Sequence, residues 1–477
     1  MYSVPLILDL TRDEKLEVFG KEYKRGDEVI LLRLLFPNSP MVKDVLFENM
    51  IRFSEKTVYD RLSRLHLITP SLTWGEGIVQ LYKSTIRKSL YPNFLEKIRN
   101  KLPERVFLEY REKFLDIMQD QEYHDPVEVY EDINNTLEYV SGANLPSNVY
   151  HIGQRKLFLS EVQFFNEINK KDEIVVVYVG AAPSQHTSYL SSLFPNIKFL
   201  LIDNARFFVS GKSRTLTAKG KSGYQEYKSI CEQFVKNNDR IQIYNNLFYN
   251  DFARAVRDVI GDHYFISDIR TAQSDNAESF DIIWNSCQQY VWMKIMKPTL
   301  SLLKFRFPYQ NKDDGNFDEY VEKHKDDFEL AKEFGLDFVK QYKSNNFVYF
   351  DGKVNIQCFQ SVKSTETRLV TDGTTLKNYD DYKTYDDTFF YFNNLDRWLT
   401  LRKNDNASPA LGFDHCNDCA LENKIWKEYK KKFQSSVSVI DYVKQLTLNT
   451  GKRELIFGNH GKLFRKPSEE MLLKIKN

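Results

Sequence analysis

Cysteine is scarce in this chain, with five in 477 residues, odd in number and mostly scattered. That pattern excludes a disulfide framework and fits a reducing compartment. An excess of one charge is also lacking: 67 Lys and Arg nearly cancel 66 Asp and Glu, for a net charge of +1. Any nucleic-acid site must therefore be a local patch rather than a property of total charge. No apolar run approaches the roughly 20 residues needed to span a bilayer. The opening "MYSVPLILDLTRDEK" lacks the charged n-region and cleavage pattern of a secretory signal. An intracellular protein with no membrane partner is expected. No internal repeat or low-complexity tract stands out either.

What is plentiful is aromatic side chain, 35 Phe and 28 Tyr. Most must pack inside, and the excess leaves candidates for stacking on bases. A content of 42% hydrophobic and 28% charged residues is ordinary for a soluble globular chain, here long enough for two or three domains and a sizeable core.

Three regions are expected. Residues 1–140 read largely helical, from amphipathic runs such as "DEVILLRLLF" and "NFLEKIRNKLPERVFLEYREKFLDIMQ". Within them "SEKTVYDRLSRLHLITP" reads either as a helix of a winged-helix-like unit or as a plain packing helix, since periodicity does not separate the two. The polar bridge "SGANLPSN" then marks a boundary. Over residues 141–430 strand-like runs ("EIVVVYV", "IKFLLID", "RIQIYN", "HYFISDI") alternate with helical ones, which predicts an α/β fold with a mostly parallel sheet covered on both faces. The pieces "FVYF" and "VNIQCFQ" are expected to continue that sheet. Residues 431–477 read as a helical segment and a basic tail, with seven Lys/Arg against three Asp/Glu after residue 450.

The stretch "VVVYVGAAPSQHTSYL" reads as strand, tight turn and helix start, because Gly180 opens a run of small residues after a β-branched strand. Such a turn lets a ligand approach backbone at the carboxyl end of a strand. Asp203 ends the next strand, placed either to accept from a ribose diol or to cap a helix. Asp268, in "YFISDIRTA", ends a third strand on the same edge, and acids crowded there need cations in answer. Lys156 and Lys304 are candidates, though either also reads as a snorkelling surface lysine. Glu366 in "SVKSTETRLVT" follows another strand-like run. His415, Cys416 and Cys419 form a C-x-x-C with an adjacent His, but no second cysteine pair completes four ligands, so buried thiols are expected and no metal.

The order Lys156, Asp268, Lys304, Glu366, with the Gly180 turn and Asp203 between the first two, resembles the Lys-Asp-Lys-Glu tetrad of the FtsJ-like RNA 2'-O-methyltransferases. The closer resemblance is to the poxvirus cap-specific mRNA 2'-O-methyltransferases, whose family also serves as regulatory subunit of poly(A) polymerase. It covers roughly residues 139–420 and is carried by "GQRKLFLSEVQFF", "VYVGAAPSQHTSYL", "LLIDNAR", "FISDIRT", "MKPTLSLLKFRFPY" and "STETRLVT".

That resemblance implies a Rossmann-like, S-adenosylmethionine-dependent methyltransferase fold with Lys156, Asp268, Lys304 and Glu366 as catalytic residues. Gln154, Tyr178, Gly180, Ser184 and Asp203 are implied contacts of S-adenosylmethionine, Asp203 on its ribose. The family carries glycine where this chain has Ser184 and Asn204. Tyr139 and Tyr309 are implied as the rings that sandwich 7-methylguanine and Asp386 as an acid on its edge, with Asn311 where the family has a second acid. A cationic base between rings and carboxylates gains cation-π and charge attraction. Lys304, sharing its proton with Asp268 and Glu366, is implied to activate the ribose 2'-hydroxyl while Lys156 orients it. Capped mRNA, a viral poly(A) polymerase catalytic subunit or capping enzyme, and the cytoplasm of an infected cell complete the implied setting.

Overall fold

The computed structural model describes residues 16–18, 21–23, 95, 98–120, 122–143, 145, 153–168, 172–271, 279–309, 317–344, 346–379, 381–406 and 415–449. The segment 54–70 and the basic tail therefore lie outside the described residues. Near the start, β1 (Leu16–Val18) and β2 (Lys21–Tyr23) pair antiparallel. Helix α1 (Glu104–Gln119) follows, and then residues 122–143 run mostly extended apart from one 3-10 turn at Tyr130–Asp132.

The centre is an eight-stranded sheet. Its strands are β3 (Ile174–Val179), β4 (Ile197–Ile202), β5 (Arg214–Thr215), β6 (Ile241–Tyr244), β7 (Tyr264–Ser267), β8 (Ser301–Phe305), β10 (Lys353–Asn355) and β11 (Thr367–Thr371). They lie side by side in the order β10-β11-β8-β7-β3-β4-β6-β5. β3 to β8 run parallel, and β10 and β11 pair antiparallel at one edge. This is the α/β class that the alternation predicted and the Rossmann-like fold that the resemblance implied. The chain moves from β3 outward through β4, then returns to place β7 on β3's other side, and that reversal opens a crevice at the strands' carboxyl ends.

The near-continuous apolar strands follow from burial on both faces. Along β3, Val176 and Tyr178 enter one core layer while Val177 and Val179 enter the other, as the two-residue period of a strand requires. The first layer is closed by α2 (Gly153–Glu167) and α3 (Thr187–Leu193) together with α12 (Asn417–Phe433) and α13 (Val439–Asn449). The second is closed by α4 (Gly223–Lys236), α5 (Asn250–Val259) and α6 (Ser279–Met296), with α7 (Phe317–Lys323), α8 (Lys325–Glu333) and α9 (Phe338–Ser344) outside them. A third cluster joins Phe107, Tyr110 and Phe114 of α1 to Phe390 and Leu395, where α10 (Tyr382–Tyr391) passes through a π-helical turn, Phe392–Asp396, into α11 (Arg397–Leu399).

The structure departs from the sequence expectation at one edge. "FVYF" does not extend the main sheet, because β9 (Val348–Phe350) pairs instead with β12 (Leu376–Asn378) in a separate two-stranded sheet. Of "VNIQCFQ" only the first residues join the main sheet, in β10. The break between β9 and β10 falls at Asp351 and Gly352, and a Cβ on Gly352 would stand 2.2 Å from the Val370 carbonyl oxygen, so only glycine lets the chain pass this close to β11.

Candidate active site

Gly180 closes β3 with a positive φ of 74°, and a Cβ there would meet the Asp268 carbonyl carbon at 2.7 Å. Only glycine lets the turn pass this close to the end of β7. The turn continues through Ala182 and Ser184 into α3. Ser184 is buried with φ 53°, and its hydroxyl donates to the Ala181 carbonyl oxygen. Asp203 lies opposite. Its carboxylate accepts from the Ala182 N–H at 3.0 Å and the Ala205 N–H at 2.8 Å, bracing the turn. No helix begins at Asp203, so the capping alternative drops out. Gly180, Ala182, Asp203 and Asp268 line a cleft of about 1400 Å³ that runs on past Leu247 and Trp284. Two bonds leave the Asp203 carboxylate with lone pairs to spare for a ligand hydroxyl.

Beside this cleft four distant residues converge. Lys304 Nζ lies 3.1 Å from Asp268 Oδ1 and 3.3 Å from Glu366 Oε2, and Lys156 Nζ lies 3.1 Å from Glu366 Oε1. The topology explains the meeting. Asp268 follows parallel β7 and Lys304 lies near the end of parallel β8, whereas β11 runs the other way and starts at that same edge, pairing Arg368 with Lys304. Glu366 therefore precedes its strand rather than following one. Lys156 arrives from the first turns of α2.

Sequence reasoning missed Arg368, Gln357 and Arg270. Arg368 is 2% exposed and sets Nη2 2.8 Å from Asp268 Oδ1 and 3.5 Å from Glu366 Oε1. The Gln357 side chain accepts from Arg368 Nε at 3.0 Å and donates to Glu366 Oε1 at 3.3 Å. Arg270 stands 4.0 Å from Glu366 Oε2. A signal for Arg368 was present, since alternation along a strand puts it on the same face as Glu366 in "ETR". Nothing local marks Gln357.

The electrostatics follow from four cations around two acids. Burial pushes Glu366 upward, yet Lys156, Lys304, Arg368 and Arg270 hold it well below the usual carboxylate range. Burial likewise raises Asp268, but Arg368 and Lys304 bring it below its ordinary value. Lys156 moves the other way: burial drives its ammonium pKa down, and Glu366 opposes that only in part. The site holds both carboxylates ionised inside a positive surround, which suits negative charge developing on an oxygen.

Of the remaining candidates, Gln154 opens α2 and meets His186. Tyr178 is wholly buried in β3, where burial and the Glu161 charge hold its phenol well above its usual range, so only its backbone could face the cleft. Tyr309 exchanges hydrogen bonds with Ser279 and carries the Arg306 guanidinium 3.9 Å above its ring centre. Tyr139 is 44% exposed, its N–H donates to Asp387 Oδ1 at 2.8 Å, and its ring meets Phe390 edge-on. Phe307 stacks on Tyr385 at 4.0 Å. The segments carrying Tyr309 and Tyr139 thus both dock on α10, the helix that carries Asp386, which is itself buried. Asn311 lies outside the described residues. His415 Nδ1 donates to the Arg402 carbonyl oxygen at 3.1 Å, and among the described residues no group of three His, Cys, Asp or Glu could hold a metal ion.

Comparison with known proteins adds an independent line. A family model described as "Poly A polymerase regulatory subunit" matches residues 122–211 and 226–334. A protein of Myxoma virus (strain Lausanne) named cap-specific mRNA (nucleoside-2'-O-)-methyltransferase is 23% identical over 374 residues, 74% of this chain and 94% of the relative. A protein of the same name from Fowlpox virus (strain NVSL) is 27% identical over 183 residues, 38% of this chain and 52% of the relative.

Proposed function

We propose that this chain, which belongs to the poly A polymerase regulatory subunit family, is a cap-specific mRNA 2'-O-methyltransferase. It moves a methyl group from S-adenosylmethionine to the ribose 2'-hydroxyl of the first transcribed nucleotide of 7-methylguanosine-capped RNA. The observation that carries the reading is Lys304 held between Glu366 and Asp268, the second of which lines the Gly180 cleft.

The cleft fits a nucleoside-bearing donor: a turn with no side chain at Gly180, a braced carboxylate at Asp203, and room between them. Gly180 and Asp203 would hold it, with Gln154 toward its amino-acid end, whereas Ser184, wholly buried with its hydroxyl given to Ala181, shapes the turn instead of touching the donor. The donor supplies an already activated sulfonium methyl, so placing the acceptor oxygen is most of the remaining task. Lys304 acts in its neutral form, its ammonium proton first given up to water, and takes the proton of the 2'-hydroxyl as the sulfonium gives up its methyl, while Asp268 and Glu366 hold its amine in place. Lys156 and Arg270 stabilise the charge left on the ribose oxygen. Tyr309, Tyr139 and Asp386 hold the cationic cap base.

The test is transfer of labelled methyl from S-adenosylmethionine to short capped and uncapped RNAs, with Lys304→Ala alongside. Labelling should require the 7-methylguanosine cap and vanish in the variant. Equal labelling of uncapped RNA removes the cap specificity and leaves the transferase.

The family description favours a second, compatible reading, that the chain also accompanies a poly(A) polymerase catalytic subunit; the cytoplasm of an infected cell is the setting proposed for both roles. Co-purification with such a subunit, and longer tails when this chain is added, would support it.

A further inference from the structure

We infer that His186 and Glu161 are positioning residues that set the side-chain amide of Gln154 for the amino-acid end of the methyl donor; this deepens the proposed function and rests on it. His186 stands at the far end of the small-residue turn and is fully buried, as is Glu161. Its Nδ1 lies 2.8 Å from Gln154 Oε1 and its Nε2 lies 2.8 Å from Glu161 Oε2. Gln154 and Glu161 occur two helical turns apart on one face of α2, so the imidazole is wedged between them. Phe158, from the turn between, packs edge-on to the same ring at 6.1 Å.

A buried imidazole and carboxylate are costly unless each satisfies the other. An ionised Glu161 can only accept, so His186 Nε2 carries a proton toward it. The other ring nitrogen is then committed to Gln154, either donating to its oxygen or accepting from its amide N–H. Both arrangements fix the amide plane. The first leaves two amide hydrogens for a ligand carboxylate, and the second leaves an oxygen for a ligand ammonium. Gln154 shares the opening turn of α2 with Lys156, which reaches Glu366, and through His186 it meets the far end of the turn that starts at Gly180. His186 touches neither donor nor RNA and acts through Gln154.

The experiment is calorimetric binding of two ligands to the full chain. S-adenosylhomocysteine carries the amino acid, and 5'-methylthioadenosine lacks it. The proteins are wild type, Gln154→Ala, His186→Asn, Glu161→Gln and the Gln154→Ala/His186→Asn double variant. Each single variant should weaken S-adenosylhomocysteine by about ten-fold, the scale of one good polar contact. The double variant should be no weaker than Gln154→Ala, and methylthioadenosine should bind all five alike. Additive losses in the double variant, or equal losses for both ligands, overturn the inference and leave the proposed function standing. If His186→Asn does not fold, Glu161→Gln with and without Gln154→Ala separates the same two outcomes. A wild-type chain that binds neither ligand overturns the cofactor reading itself.

Discussion

Asp268 and Glu366 both reach Lys304, and two carboxylates so close repel one another, each raising the other's pKa. Arg368, together with the two lysines, permits both to remain ionised. It is the foremost opposing pull on Asp268 and adds to the lysines at Glu366. Its own charge is in turn buried, so the arginine and the acids depend on one another. Replacing one partner of such a cluster leaves the other charges uncompensated, at about 3–5 kcal/mol. Arg368→Met should therefore lower unfolding free energy by that amount in urea titration. It should also raise the Asp268 pKa, moving the acid limb of the methyl-transfer rate to higher pH. A variant with wild-type stability and pH profile would show Arg368 to be a bystander.

Elements set these residues facing one another, and here the limits of the sequence become visible. The runs of β3, β4, β6 and β7 and the turn at Gly180 were legible, because a doubly covered strand and a small-residue turn each leave a local compositional mark. The direction of β11 was not, since nothing in "STETRLVT" says that it runs against β8, and that reversal is what brings Glu366 to Lys304. His186 and Gln357 escaped for a related reason: their partners are fixed by tertiary packing. The same holds for the support of α2. Arg155, beside Lys156, is clamped by Glu422 of α12, with Nε 3.2 Å from Oε2 and Trp426 donating to Oε1 at 3.3 Å. Both charged side chains are buried, at 6% and 0% exposure. Glu422→Gln should cost about 3–5 kcal/mol of stability by stranding the guanidinium. Loosening α2 should lower methyl transfer more than the global loss predicts, which comparison of rate and urea midpoint at one temperature would check.

Across the molecule, the extended stretch 122–143 acts as a strap over the catalytic layers. Val129 bridges to Asn355, His124 bridges to Arg402, and Tyr139 holds Asp387. Glu128 is its anchor, taking bonds from Gln163 of α2, Lys353 of β10 and Lys424 of α12. Burial opposes the charge of Glu128, but the two lysines outweigh it and bring its pKa from 4.5 down to about 2. Glu366 and Asp268 are lowered as well. A carboxyl whose pKa is lower in the folded than in the unfolded chain binds fewer protons when folded, so it adds stability at any pH above its unfolded value. That contribution shrinks as pH falls through the folded value. These three groups thus leave stability flat between about pH 8 and pH 5, then take it away steadily from about pH 4.5 toward pH 2. Glu128→Gln removes one of the three titrations along with the strap's anchor. Its urea midpoint should be lower at pH 7 and should fall less steeply with acid than that of wild type. Parallel acid slopes for the two proteins would mean that the strap is held by its backbone bridges rather than by its buried charge.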